Sequence, residues 1–363
     1  MKVGCTKELK NHEYRVGLTP NNVREYVKHG HQVYIETNAG LGAGFKDEEY
    51  KECGAIILNT PKEIFDICDM IVKVKEPEEC EYNLFREGQI LFTYLHLAPN
   101  KKLAQMLLNK KITGVAYETI EDDKGGLPCL KPMSQIAGKL SIHEGAKYLQ
   151  QSYGGKGILL GGVPGVERGT VVILGGGTVG NYAAKVATGL GAQVIIIDRS
   201  LDRLSNLEDE FGSSISTLFL TEDNLLSALK KADLVVCSVL VPGGSTPKLI
   251  RREHLKQMKT GAVIVDVSID QGGCCETSHV TKHDNPIFIE EGIVHYCVGN
   301  MPGAVPYTST IALTNATLQY GLCIADNGIN NIQDLPHSIR MGINTFNGQF
   351  ANENVKNAFE SLK

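Results

Sequence analysis

Two groups of residues in this chain have the types and spacing to do chemistry. The first is Gly175-Gly176-Gly177-Thr178-Val179-Gly180, a GxGxxG run that directly follows the apolar stretch TVVIL and opens the helical pattern NYAAKVATGLGA. In that setting each glycine has a task. Gly175 permits a tight turn, Gly177 lets the main chain approach a pyrophosphate, and Gly180 allows a helix to pack closely on a strand. The N–H groups and positive dipole end at the helix start then suit phosphate. Eighteen residues beyond Gly180 the run QVIII ends in Asp198. A carboxylate there accepts from ribose hydroxyls and repels a 2′-phosphate, which favours NAD over NADP. Arg199 and Arg203 pull the other way, because a guanidinium can hold that phosphate. A second glycine cluster, Gly40, Gly42 and Gly44, lacks a third glycine at the required spacing and reads as a loop.

The second group lies in the N-terminal half, where polar residues stand just past apolar runs. Lys75 follows MIVKV, His96 follows ILFTYL, and Arg15 lies in the loop after the first run. Ligands of open α/β sheets bind beyond the carboxyl ends of strands, so these three can converge on one crevice. An arginine offers a two-pronged fork to a carboxylate. A lysine polarises a carbonyl, and a histidine titrates where proton transfer needs it. Taken singly, each is also an ordinary solvated side chain. Farther along, Asp266 and Asp270 bracket the end of AVIVDVSID; Asp266 is placed to brace the turn and Asp270 to reach a cleft.

The elements that must position these residues alternate between short apolar runs and helical patterns, the mark of α/β units around mostly parallel sheets. KVGCT, QVYIE, AIIL, MIVKV, ILFTYL and TGVAYE are strand candidates up to residue 118; TVVIL, AQVIII, ADLVVCSV, AVIVDV and VHYCV follow from Thr170. The second set consists of near-continuous apolar runs, as expected where helices cover both faces of a sheet. Thr19 as N-cap and Pro20 at the first helical position predict a helix over 21–29, stopped by Gly30. Ser134 is expected to cap a long helix reaching about Ser152, with Ile136, Leu140 and Leu149 near one face. Helices are also predicted over 308–325 and 352–362. The fold class that results is two doubly wound, Rossmann-like parallel-sheet domains with a cleft between them. Residues 1–130, completed by 306–363, form a substrate domain, and 131–305 form a nucleotide-binding one.

Composition agrees with this and removes other classes. At 363 residues the chain is long for one domain. Lys+Arg total 36 against Asp+Glu 41, net charge −5, which gives no footprint for nucleic acid or an anionic membrane. The stretch 169–197 is apolar enough to suggest a membrane span, but its Gly-Gly-Gly turn and Lys185 fit a strand and a helix better. The opening MKVGCTKELKNHEYR has no apolar run of signal-peptide length, so a cytoplasmic location is expected. Ten cysteines without a CxxC pair read as reduced, buried thiols. The vicinal Cys274 and Cys275 lack a second ligand cluster for a metal.

Longer segments carry a family resemblance. KELKNHEYRVGLTP, KVKEPE, YLHLA, LPCLKPMSQIAGKLS, LLGGVPGVERGTVVILGGGTVG, VDVSIDQGG and NMPGAVPYTSTIALTN together resemble the alanine dehydrogenase family, a group shared with the NAD-binding part of proton-translocating transhydrogenase. The resemblance runs almost end to end. It implies that Arg15 and Lys75 bind the substrate's carboxylate and carbonyl oxygen and that His96 and Asp270 form the acid/base pair. It implies a cofactor site lined by Ser134, Gly175, Gly177, Thr178, Val179, Gly180, Asp198, Arg203, Val239, Leu240, Val267, Ser268, Ile269, Asp270, Val298, Asn300 and Met301. It further implies a cytoplasmic homohexamer that deaminates L-alanine reversibly to pyruvate and ammonia with NAD. Tyr94, Leu130 and Met133 are expected to pack around the substrate methyl group. Gly299, Tyr307 and Leu220 depart from the residues commoner in the family. Asn327 and Glu118 make no convincing ligand set, so no metal is expected. Two other readings are the dinucleotide-binding part of a transhydrogenase and an NAD(H) sensor without turnover. Arg15, Lys75 and His96 together count against the first, which has no amino-acid site, and these with Asp270 count against the second, which needs the glycine loop but no acid/base pair.

Overall fold

The computed structural model describes residues 1–97, 99–239, 246–329 and 331–361. They fall into two compact units, Met1–Met133 with Gly303–Lys363, and Ser134–Pro302. The first unit contains strands β1 (Lys2–Cys5), β2 (Gln32–Glu36), β3 (Ile56–Leu58), β4 (Met70–Val72), β5 (Ile90–Thr93), β6 (Thr113–Ala116), β14 (Ile343–Phe346) and β15 (Gln349–Phe350). The second contains β7 (Thr170–Leu174), β8 (Gln193–Asp198), β9 (Ile215–Phe219), β10 (Leu234–Cys237), β11 (Val263–Asp266), β12 (Ile287–Glu290) and β13 (Ile293–Tyr296).

The first sheet has the order β15-β14-β6-β5-β4-β1-β2-β3. Strands β1 to β6 run parallel, and β14 and β15 add antiparallel pairs at one edge. Chain order reverses between β1 and β4, the switch point at whose carboxyl ends ligands bind in open α/β sheets. The second sheet repeats this plan as β12-β13-β11-β10-β7-β8-β9, with its switch between β7 and β10 and only β12 antiparallel. Both sheets are thus doubly wound and mostly parallel, as the alternating pattern predicts. The strands that the sequence did not announce are β9, β12, β14 and β15. Each lies at or near a sheet edge, where one side meets solvent and the apolar run that marks a central strand is not required.

The alternation of side chains explains the run TVVIL. Val171 and Ile173 enter one core cluster with Ala183, Ala187 and Leu234, while Val172 and Leu174 enter the opposite one with Leu225, Leu229 and Ile264. All five strand residues are buried because helices cover both faces. The stretch 169–197 resolves into β7, the glycine turn, the helix Thr178–Gly189 and β8; among the described residues no helix is long and apolar enough to cross a membrane.

The helix Pro20–Lys28 begins as expected, with Thr19 accepting from the main chain of Asn22 in a capping box and Pro20 in the first turn. The expected cap at Ser134 is corrected. That helix runs Lys131–Tyr148, so Ser134 sits inside its first turn. Pro132 supplies the start instead: its missing N–H costs nothing in a first turn, and the Lys131 N–H is already taken by the Leu127 carbonyl at 3.1 Å. The helix also stops short of Ser152. A separate turn, Gln151–Tyr153, follows, and buried Leu149 lies past the helix end.

Candidate active site

In the second unit the three glycines of the loop differ in the space around them. Gly175 has φ +97°, and a Cβ there would meet the Ser238 carbonyl at 3.0 Å. A Cβ on Gly180 would lie 2.0 Å from the Gly175 carbonyl oxygen, so helix and turn touch main chain to main chain. Around Gly177 a Cβ would meet nothing within 4 Å, which leaves open the space where a phosphate approaches. No side chain caps the helix Thr178–Gly189, so the N–H groups of its first turn remain for an anion.

Asp198 ends β8 and turns back to this loop. Its Oδ2 accepts from the Gly176 N–H at 2.7 Å and its Oδ1 from the Ser200 N–H at 2.9 Å. A carboxylate has about four acceptor positions, so two stay open for hydroxyls. The stem of Arg203 runs beside Gly176. Past β10 and β11, Ser268 donates to the Val239 carbonyl at 2.9 Å and so ties the turn Val267–Gln271 to the β10 loop. Leu240 lies outside the described residues. Asp270 is exposed on that turn and accepts from the Asn300 N–H at 3.4 Å. A Cβ at Gly299 would come within 3.0 Å of Asp270 Oδ1, a physical consequence of the glycine at this position. Val298, Met301 and Ile269 are buried, the first two within the core, so they offer a ligand main chain rather than side chain. Ser134 is half-buried in its helix. Asp266 braces the turn by accepting from the Cys274 and Cys275 N–H groups at 2.9 and 3.2 Å.

In the first unit the candidate residues are polar and charged side chains. Arg15 is buried, and its Nε and Nη2 donate to the two oxygens of Glu13 at 2.6 and 2.5 Å. Both side chains are 1% exposed. Burial opposes the guanidinium charge, but the bonds and charge of Glu13 outweigh it and raise the pKa of Arg15 above its ordinary value. Arg15 Nη1 also donates to the Met133 sulfur at 3.2 Å. Lys75, half-buried, follows β4 and directly precedes Glu76.

His96, past the end of β5, has φ +45°, a strained region for a residue with a side chain. Glu118, just past β6, accepts from the His96 N–H at 2.6 Å and from the Leu95 N–H at 3.1 Å. The His96 ring lies 5.9 Å from the Tyr94 ring, stacked at 20°, and its Nδ1 is 3.1 Å from Glu76 Oε2. Glu76 also pairs with Lys10. Tyr94 donates to the Cys129 carbonyl at 2.7 Å and feels the charge of Arg15, so Arg15 and His96 flank one buried ring. Leu130 is half-buried nearby in sequence. Under the site, buried Lys73 pairs with Glu81 at 3.0 Å and Glu8 at 3.7 Å.

Sequence reasoning found Arg15 and His96 and missed the carboxylates that hold them, Glu13, Glu76 and Glu118, and it missed buried Lys73 with its partners Glu8 and Glu81. Glu76 and Glu118 obey the same rule as Lys75 and His96, lying just past strand ends. Glu13 stands two residues before Arg15. The Gly40–Gly44 segment is a loop with a short turn, Leu41–Ala43. Eight of the ten cysteines are buried and all ten are unbridged. Among the described residues no group of three His, Cys, Asp or Glu side chains is placed to hold a metal.

Comparison with known proteins follows the same division. A family described as "Alanine dehydrogenase/PNT, N-terminal domain" matches residues 4–137, and its C-terminal counterpart matches 141–353. An alanine dehydrogenase of Methanococcus maripaludis is 53% identical over 361 residues, covering 99% of this chain and 97% of that one. A solved L-alanine dehydrogenase superposes with a TM-score of 0.97 at 48% identity, covering all of both chains. A transhydrogenase from Sinorhizobium meliloti shares the fold, with a TM-score of 0.82 at 21% identity over 97% of this chain and 99% of that one.

Proposed function

The chain belongs to the alanine dehydrogenase/PNT family, and from that premise we propose that it is an oxidoreductase catalysing reversible, NAD-dependent deamination of L-alanine to pyruvate and ammonia. The observation that carries this reading is the pairing of a buried Arg15–Glu13 fork with a carboxylate-held His96 in a chain that also has the glycine loop. A nucleotide carrier or sensor needs the loop alone.

The first-turn N–H groups after Gly177 would hold the pyrophosphate and Asp198 the ribose hydroxyls, with NAD preferred over NADP. Bound NAD supplies the acceptor for the hydride that leaves the substrate α-carbon. Arg15, oriented by Glu13, meets the substrate carboxylate through its guanidinium. Lys75 stands at the oxygen of the keto acid and stabilises charge developing there. In deamination, His96 or Asp270 takes a proton from the water that adds to the imine, and the carbinolamine then expels ammonia to leave pyruvate. Fixing the acid in this way removes barrier by positioning, on the order of 7–11 kcal/mol in ideal cases. Tyr94, Leu130 and Met133 surround the methyl group. One methylene is worth only about 1–3 kcal/mol of discrimination, so serine and 2-aminobutyrate are expected as poorer substrates. A cytoplasmic homohexamer completes the proposal.

NADH oxidation followed at fixed pyruvate, with and without ammonium, tests the reading. Turnover that requires ammonium supports it. NADH binding without turnover selects the sensor instead.

A further inference from the structure

We propose that Glu76, pinned by Lys10, is a positioning residue that sets the tautomer and orientation of His96; this rests on the acid/base role given to His96 above. The two oxygens of Glu76 are divided between two partners. Oε1 meets the Lys10 ammonium, and Oε2 lies 3.1 Å from His96 Nδ1. The Glu76 side chain is 14% exposed, whereas that of His96 is 43% exposed, so the carboxylate is the fixed member of the pair. Burial lifts the Glu76 carboxyl, but the bonds and charges of His96 and Lys10 outweigh it and hold the value down at about 2. An ionised carboxylate only accepts. Nδ1 therefore carries the hydrogen of that bond, and Nε2 is left as the atom that exchanges a proton with substrate.

Two further contacts make the arrangement specific to the ring. Glu118 holds the left-handed main chain of His96, and the Tyr94 ring lies near-parallel to the imidazole with centroids 5.9 Å apart. The main chain is thus set independently of Glu76. The freedom that remains is rotation about the Cβ–Cγ bond, which decides whether Nδ1 or Cδ2 meets Glu76 and so whether Nε2 or Cε1 occupies the opposite, proton-exchanging position. Glu76 removes that freedom and also stabilises the imidazolium while it holds the extra proton. A half-exposed ion pair of purely structural use would stabilise the fold slightly and would not depend on His96 as a proton carrier.

The test is a double-mutant cycle on the full-length protein, with Glu76→Gln, His96→Ala and the pair. Glu76→Gln is expected to lower kcat roughly ten- to a hundred-fold. This is less than the four decades or so lost with a buried triad carboxylate, because water reaches this ring. KM for pyruvate and NADH binding stay near the parent values, and Glu76→Asp recovers part of the loss. In the His96→Ala background, Glu76→Gln has no further effect. The same fold-loss in both backgrounds, or parental turnover in Glu76→Gln, overturns the proposal. Parental turnover in His96→Ala overturns the acid/base reading itself, a separate failure. Should Glu76→Gln not fold, 15N-histidine NMR of the parent chain decides: a neutral His96 protonated at Nε2 rather than Nδ1 refutes the assignment.

Discussion

The candidate sites of the two units are built from opposite materials. In the unit with the glycine loop the candidate surface is main chain. A Cβ on Gly175 or Gly180 would meet chiefly main-chain atoms, and one on Gly177 would meet nothing within 4 Å. In the other half the candidate surface is polar side chains, and three of them are held by carboxylates: Arg15 by Glu13, His96 by Glu76, and Lys73 by Glu81 and Glu8. The same doubly wound sheet underlies both. One site is therefore sensitive to added volume and the other to lost charge or lost hydrogen bonds.

The largest effect expected on that contrast is in the charged half. His96→Ala should lower kcat by about 10²–10⁴-fold, the usual worth of a general acid–base group, while NADH binding by fluorescence persists. Loss of NADH binding in that variant would break the division of labour. Next comes Glu13→Ala, which removes the two-oxygen carboxylate partner of a buried guanidinium. Removing one member of a buried pair costs about 3–5 kcal/mol, so chemical denaturation should show a marked drop in stability. A midpoint equal to the parent's would mean that Arg15 has found water or another partner.

In the nucleotide half, volume is the lever. Gly180→Ala forces a Cβ against the Gly175 carbonyl and should destabilise the chain by about 1–3 kcal/mol, as overpacking does. Gly177→Ala meets no protein atom and has φ −66°, so its stability should hold while NADH affinity falls. Equal behaviour of the two variants in thermal melts and NADH titrations would remove the distinction between packing glycine and binding glycine.

The smallest effect is in acid. Glu76 is held at about 2 against an ordinary 4.5. A carboxyl lowered in the folded state contributes stability that is complete above its ordinary value and is lost as pH falls toward the folded one. Glu76→Gln should accordingly flatten the stability–pH curve between about pH 4.5 and pH 2 and leave its neutral limb parallel to the parent's. Acid-unfolding curves that superimpose after normalisation would count against the pairing.

How far the sequence reached follows from the range of each interaction. The glycine turn, the strand before it and the helix after it lie within some twenty consecutive residues, and their periodicity and turn chemistry are local. Thr19 and Pro20 were legible as a helix start for the same reason. Pro132 carried the same signal, yet Ser134 beside it offered a competing cap, and only the completed backbone chose between them. The cations were legible because strand ends can be read from where apolar runs stop.

The chain by itself thus determined a nucleotide loop, two alternating α/β halves and a set of cations at strand ends, since each depends on residues adjacent in sequence. Tertiary structure alone decided which carboxylate meets which cation. Glu118 reaches the His96 main chain across 22 residues, and Lys10 reaches Glu76 across 66. Those meetings exist only because β1, β4, β5 and β6 lie side by side. Strand order is set by how the whole sheet buries its apolar faces, and no local window contains that information.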